Sequence, residues 1–514
     1  MSRQPQPRNC APAGPTHYLG LGQVVLLVMG GTIGADLYVA SAFGADLGSS
    51  GLFVWGAGAV MAMAVAMAFA TCALVVPGNG GPYLYARRAF GPLAGFMAGW
   101  AVLVAQWSSL VALPIAFSRY LQSMIAAAAA WPPWWTSPVR AGFLLLVALA
   151  IYQGPRLASL ITDLLTVARL LPLLVVVAGG LAWAALHPGR ALANLLPLQL
   201  PPWDAAGALL VPVFWAYAGF EVGSIPAGQV RNPHRTIPLA LILGTAACAA
   251  LYLLANLTTL LVLSRTELAG NTAPLVSCAR GVAAGLLPRW KPAAAVAELV
   301  LGTGVLVSTL GTAAAITFAA THLLVAMAAT GLLPPALGRL HPRRGTPDAA
   351  LATLVAPAVA ASALATISSV VGTAVICSAF AYLATALAAW RLSTSRPGKA
   401  AAAGAVVVCL FVFCLTDPAV LAAGVCLLGL GGLVYLTRRR LPAPSPDLWV
   451  EAFTALAAPA PPSPPTVAPP PPALYGLAAR SGGTPAAWTA RFMPAIASLL
   501  TRSTCVPRPK ALSR

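Results

Sequence analysis

The stretch from Leu210 to Leu239, LVPVFWAYAGFEVGSIPAGQVRNPHRTIPL, decides how the rest of the chain is read. It begins as an apolar helix and loses its helical logic at Ala216-Tyr217-Ala218-Gly219. One carboxylate, Glu221, then stands inside a run otherwise fit for lipid, and a basic, proline-bounded turn closes it at Arg231-Asn232-Pro233-His234-Arg235. An ionisable group and a weak helix at membrane depth both cost free energy, so together they point to a functional site.

Outward from that stretch, apolar runs of about 20 residues recur, the length that crosses about 30 Å of hydrocarbon. Only 8% of the 514 residues are charged and mean hydropathy is +0.83, against roughly 25% charged in a soluble protein. That excludes an ordinary soluble enzyme. The short alternating segments of a β-barrel are missing. The expected fold class is therefore an all-α polytopic membrane protein. The net charge of +19 is read as basic loops on one membrane side rather than as a nucleic-acid surface, because no recognition motif accompanies it. The nine cysteines are scattered without a CxxC, so neither a disulfide scaffold nor a zinc site is expected. The sequence has no metal-spaced His/Cys/carboxylate group, no GxSxG and no Walker loop. No cofactor, no enzymatic centre and no ATP-driven pump is expected in this chain.

Twelve spans are predicted, at about 20–44, 51–76, 92–126, 139–153, 158–186, 206–228, 236–263, 293–330, 348–370, 372–391, 402–416 and 419–437. Connections are read at 79–91, at 187–205 and in a longer loop containing Asn271-Thr272-Ala273-Pro274. A polar tail, 1–18, precedes the twelve-span domain of 19–437. A tail rich in proline and alanine follows at 438–514, too poor in burial potential to fold alone. No cleavable signal is read at the start, so the first span is expected to insert the chain. With the amino terminus inside, the inner loops hold Arg87, Arg88, Arg156, Arg231, Arg235, Arg339, Arg343, Arg344, Arg391, Arg396, Lys399 and Arg438-Arg439-Arg440. The outer loops hold Arg140, Arg190, Arg265, Arg280, Arg289 and Lys291. Basic residues favour the cytoplasmic side, so both tails are expected in the cytoplasm and the protein in the plasma membrane.

The first span is interrupted at Gly30-Gly31-Thr32-Ile33-Gly34, the sixth at Ala216–Gly219. Two interrupted spans five apart point to a 5+5 inverted repeat with a site at the midplane. A break frees N–H groups on one half-helix and C=O groups on the other, and survives in hydrocarbon only where it lines a cavity. The freed N–H end attracts a carboxylate and the freed C=O end an ammonium. One pair of breaks can thus hold a zwitterion. The competing account of Gly30, Gly31 and Gly34 is close helix packing.

Phe214-Trp215-Ala216-Tyr217-Ala218-Gly219-Phe220-Glu221, followed by Ala227-Gly228-Gln229-Val230-Arg231-Asn232-Pro233-His234-Arg235-Thr236-Ile237-Pro238, resembles the sixth-span signature of the amino acid–polyamine–organocation superfamily. Gly31-Thr32-Ile33-Gly34, Gly80-Gly81-Pro82-Tyr83, Ala273-Pro274-Leu275 and Gly331-Leu332-Leu333-Pro334 are similar to further family segments in the same order, as is His341-Pro342-Arg343-Arg344-Gly345-Thr346-Pro347. The resemblance spans about residues 18–437. It implies a leucine-transporter-like fold and secondary transport of amino acids or organic amines. It also implies that backbone at Thr32, Ile33, Gly34 and Ala35 meets a substrate carboxylate, and that carbonyls at Phe214, Trp215 and Ala216 meet its amine. Gly31 and Gly219 join this set as members of the same breaks. Trp215 matches an aromatic lid, or is an ordinary packing ring. Glu221 matches an acidic position tied to pH response, or is a structural carboxylate bracing the break.

Departures from the family pattern carry information. Relatives usually read Gly-Ser-Gly-Ile-Phe where this chain reads Gly34-Ala35-Asp36-Leu37-Tyr38. Asp36 is open to three roles: a protonated relay for H⁺, a partner for a cationic substrate, or a structural group. Arg169 stands where many relatives carry a Lys that fills the sodium site of sodium-coupled cousins. It occupies that space with a permanent charge, or pairs with Asp163. Gln229 replaces a common Glu, and His322 and Ala329-Thr330-Gly331 replace usual Ser-Arg and Arg-Asp-Gly segments. The expected function is a secondary transporter of amino acids or related amines, proton-coupled or an exchanger and sodium-independent, with coupling at Glu221, Asp36 and Arg169. The alternatives are a polyamine or cationic-amine transporter using Asp36, and a non-transporting sensor or complex subunit.

Overall fold

A computed structural model describes residues 20–438 apart from 77, 79, 126–131, 154, 226–229, 272, 330 and 342–343. The N-terminal tail, the C-terminal tail from residue 439, Ala227, Gly228, Gln229, Thr330 and the side chains of Ala35, Asp163 and Ala329 lie outside the described residues.

The helices are α1 (Leu21–Thr32), α2 (Ala35–Phe43), α3 (Gly51–Val75), α4 (Pro82–Phe90), α5 (Pro92–Met124), α6 (Thr136–Tyr152), α7 (Pro155–Leu186), α8 (Pro188–Leu195), α9 (Trp203–Tyr217), α10 (Pro233–Val262), α11 (Arg265–Leu268), α12 (Pro274–Leu286), α13 (Ala293–Ala329), α14 (Asp348–Leu364), α15 (Ile367–Leu392), α16 (Arg396–Leu415) and α17 (Pro418–Arg438). Proline opens α4, α5, α7, α8, α10, α12 and α17. There its fixed φ suits the first turn and its missing N–H has no intrahelical partner to lose.

Among the described residues, nine helices are long and apolar enough to cross a membrane, and α1 with α2 forms a tenth, bent by 46° at its break. The fourth and ninth predicted spans are the 17-residue helices α6 and α14, about 25 Å long at about 1.5 Å per residue. Three stretches read as connections from sequence are helical instead: α4, α8 and the 13-residue α12. Their opening prolines mark helix starts, not turns. The far half of the sixth span also differs from expectation. Among the described residues it continues as a 3₁₀ turn, Phe220–Ser224.

α5 packs on α15 and α13, α3 on α10 and α9, α1 on α10, and α7 on α13. The 3₁₀ turn packs on α1, and α2 packs on α9. The two interrupted spans therefore lie against each other, enclosed by α5, α7, α10, α13 and α15. Edge-to-face aromatic pairs pin the enclosure: Trp55 with Tyr217 and Tyr252, and Phe69 with Phe220 and Tyr382.

Candidate functional site

At the first break, Ile33 is extended (φ −83°, ψ 105°) and Gly34 turns the chain into α2 (φ −137°, ψ −154°). The carbonyls that end α1 are taken up by side chains. Arg169, on α7, donates from Nη2 to Gly30 O (2.5 Å) and Thr166 Oγ1 (2.8 Å). Its Nη1 donates to Ile33 O (2.6 Å) and Thr312 Oγ1 (2.8 Å). Tyr252 Oη donates to Thr32 O (2.9 Å). A buried guanidinium thus sits on the negative end of the α1 dipole, tying α7 and α13 to α1. The Arg169 guanidinium thus lies directly beside the first break.

At the second break, Ala218 N–H turns back to Trp215 O (3.0 Å), and Gly219 N–H leaves the helix for Glu221 Oε2 (2.9 Å). Neither continues the i→i−4 ladder, so the last carbonyls of α9 are released. Gly219 adopts φ +107°, a left-handed conformation open to glycine. Tyr382 Oη, from α15, donates to the same Glu221 oxygen (2.8 Å). Glu221 therefore braces its own break. Replacing Tyr382 with Phe removes a bond to a carboxylate, a class worth about 1.5–3 kcal/mol. We expect a matching loss of thermal stability in detergent and slower transport, whereas a melting curve like that of the unaltered protein would deny Glu221 the bracing role.

The two breaks touch through glycine. A Cβ on Gly31 would lie 2.7 Å from Gly219 O and 3.2 Å from Val222 Cγ2. Close packing and paired breaks are thus one feature here, not competing ones.

Between the breaks lies a small cavity of about 40 Å³, room for a few waters. Of the residues singled out in the sequence, Gly31, Asp36, Trp215, Gly219 and Glu221 line the cavity. Thr32, Ile33, Phe214 and Ala216 are buried beside it and stand off its wall, as does Gly34. Asp36 folds back over the start of α2: Oδ1 accepts from Leu37 N–H (3.2 Å) and lies 2.7 Å from where a Gly34 Cβ would stand. Trp215 Nε1 donates to Ser109 Oγ (3.1 Å), fixing the ring against α5. His322 stands apart, its Nδ1 2.8 Å from Phe318 O and its ring against Phe318, the geometry of a packing histidine.

Gln106 and Ser109 of α5, Thr312 and Ile316 of α13 and Ser378 of α15 complete much of the wall. Sequence reading missed them. The signal available for two of them was the polar run Gln106-Trp107-Ser108-Ser109 in an otherwise apolar span.

The amino acid permease family matches residues 19–428. The putrescine transporter PotE of Escherichia coli is 26% identical over 264 residues, covering 50% of this chain and 58% of that protein. The b(0,+)-type amino acid transporter 1 of Homo sapiens is 26% identical over 263 residues, covering 50% and 54%. The chain thus spans just over half the length of these two. An uncharacterized transporter of Mycobacterium tuberculosis is 28% identical over 448 residues, covering 85% of this chain and 95% of its own.

Proposed function

Because the chain belongs to the amino acid permease family, we propose that it is a secondary transporter of amino acids or related organic amines working by alternating access. That family is one of transporters, not enzymes. The observation that carries the proposal is the cavity between two broken spans, walled by two carboxylates, with a guanidinium held behind it. Relatives named for putrescine and for amino acids support the breadth of the substrate class. The helix contacts support a 5+5 repeat in a twelve-span fold. Shifting every span by five exchanges the pair α1–α10 with α9–α3, and the pair α5–α15 with α13–α7, and all four pairs are in contact. The arginines of the loops read as inner support cytoplasmic termini, and the reading places the protein in the plasma membrane.

Arg169 bears on the driving ion. It satisfies the α1 carbonyls and carries the positive charge that a sodium ion would otherwise bring there. An arginine does not deprotonate in use, so protons would move through Asp36 or Glu221, or the protein exchanges one substrate for another. Counterflow of radiolabelled amino acids and amines into proteoliposomes tests the whole reading. Replacing sodium by choline is expected to leave uptake unchanged. A collapse of uptake in choline would remove the sodium-independent reading, and no counterflow with any member of the class would remove the transporter reading.

A further inference from the structure

Two helices begin against the last turns of α3. A Cβ on Gly398, in the first turn of α16, would stand 3.0 Å from Thr71 Cγ2, and His234, at the start of α10, holds its Nδ1 3.4 Å from Leu74 O. Both starts are basic and neither carries an acid: His234 and Arg235 in α10, Arg396 and Lys399 in α16. That arrangement is costly, because a helix dipole disfavours cations at its N-terminus and like charges three residues apart on a helix repel. Among the described residues nothing offsets the cost. The side chains of Arg235, Arg396 and Lys399 are exposed and form no hydrogen bond or ion pair there, and α3, α10, α15 and α16 contain no aspartate or glutamate. From the same point α3 presents an open apolar stripe. Val60, Met67 and Leu74 are exposed and, seven residues apart, share one face of the helix.

We propose that this end of α3 binds an anionic phospholipid, with the phosphodiester among Arg235, Arg396 and Lys399 and an acyl chain laid along Val60, Met67 and Leu74. The site is separate from the cavity between the breaks and does not depend on what that cavity carries. Charge selects the occupant. The chain's own tails do not supply the anion: residues 1–18 contain no acidic residue, and residues 439–514 contain Asp447 and Glu451 against eight lysines and arginines. A second copy would bring the same cations. A soluble acidic partner would match the charge and leave the apolar stripe uncovered, whereas a lipid matches both. Arg235, Arg396 and Lys399 belong to the loops read as cytoplasmic, where the leaflet's anionic headgroups attract basic side chains.

The test titrates the purified full-length protein in detergent with phosphatidylglycerol or with phosphatidylcholine of the same acyl chains, and follows the melting temperature. Phosphatidylglycerol is expected to raise it at lower concentration than phosphatidylcholine. Joint replacement Arg396→Gln and Lys399→Gln is expected to weaken phosphatidylglycerol binding roughly 25-fold, about fivefold for each cation removed. The lipid-free variant should melt no lower than the unaltered protein, because two cations have left the positive end of a helix. Arg339→Gln, which removes an exposed arginine from the loop between α13 and α14, serves as the control and should leave lipid binding unchanged. Equal stabilisation by phosphatidylcholine overturns the proposal. A loss of binding in Arg339→Gln as large as in the double variant reduces the effect to diffuse surface charge and overturns it as well. Inorganic phosphate or polyglutamate raising the melting temperature as phosphatidylglycerol does would give the cations to a soluble anion and remove the lipid.

Discussion

Exchanging Arg169 for methionine is expected to destabilise the protein by about 3–5 kcal/mol, the range for stripping a partner from a buried charged network, and to abolish uptake. The side chain is 1% exposed and bridges three helices through four hydrogen bonds. Methionine fills most of the volume and supplies no donor. Gly30 O would then be stranded in a dry interior, and Ile33 O would keep only Thr312 Oγ1 at 3.4 Å. Asp36 would also lose the nearest compensating charge. Arg169→Lys is the informative partner. It restores the charge as a point donor that cannot fork across two carbonyls and two hydroxyls at once. Lysine should therefore recover folding more fully than transport. Thermal melting and initial uptake rates on the same preparations check both halves. A methionine variant that melts and transports like the unaltered protein would sink the role given to the guanidinium.

Much of the frame could be read from sequence because lipid imposes one rule on every span. Span 2, read at 51–76, forms Gly51–Val75, and span 7, read at 236–263, forms Pro233–Val262. Helices lying outside that rule escaped. α4 and α8 are short and strongly two-faced, and proline with glycine at their starts gives the composition of a connection. The site divides the same way. Gly31, Gly219, Asp36 and Glu221 stand out because glycine and charge are costly within apolar runs. Gln106, Thr312, Ser378, Tyr252 and Tyr382 sit in unbroken helices, where only the rotation of each helix about its axis decides what they face. That rotation is fixed by packing between spans far apart in sequence. The brace on Glu221 joins residues 161 positions apart, and the brace on the first break joins Arg169 to a carbonyl 136 positions away.

Gly219→Ala is expected to be the most damaging single methyl group in the protein. A residue with a Cβ held at φ +107° costs about 1–3 kcal/mol in backbone strain alone. The new methyl would also run into the Gly31 carbonyl and carbon, and neither is the end of a flexible side chain that can swing aside. The breaks would have to separate. Separation pulls Gly219 N–H from Glu221, which disengages Tyr382 as well. Gly31→Ala attacks the same contact from the other side, meeting Gly219 O and Val222, without the φ penalty, and should do less harm. Gly142 provides the control: it lies within α6 with nothing near its missing Cβ, so Gly142→Ala should be neutral or stabilise by up to about 1 kcal/mol. Uptake and melting for the three variants should therefore fall in the order Gly142→Ala, Gly31→Ala, Gly219→Ala. If Gly219→Ala folds and transports as well as Gly142→Ala, the two breaks are not held by their glycine contact, and the paired site loses its physical basis.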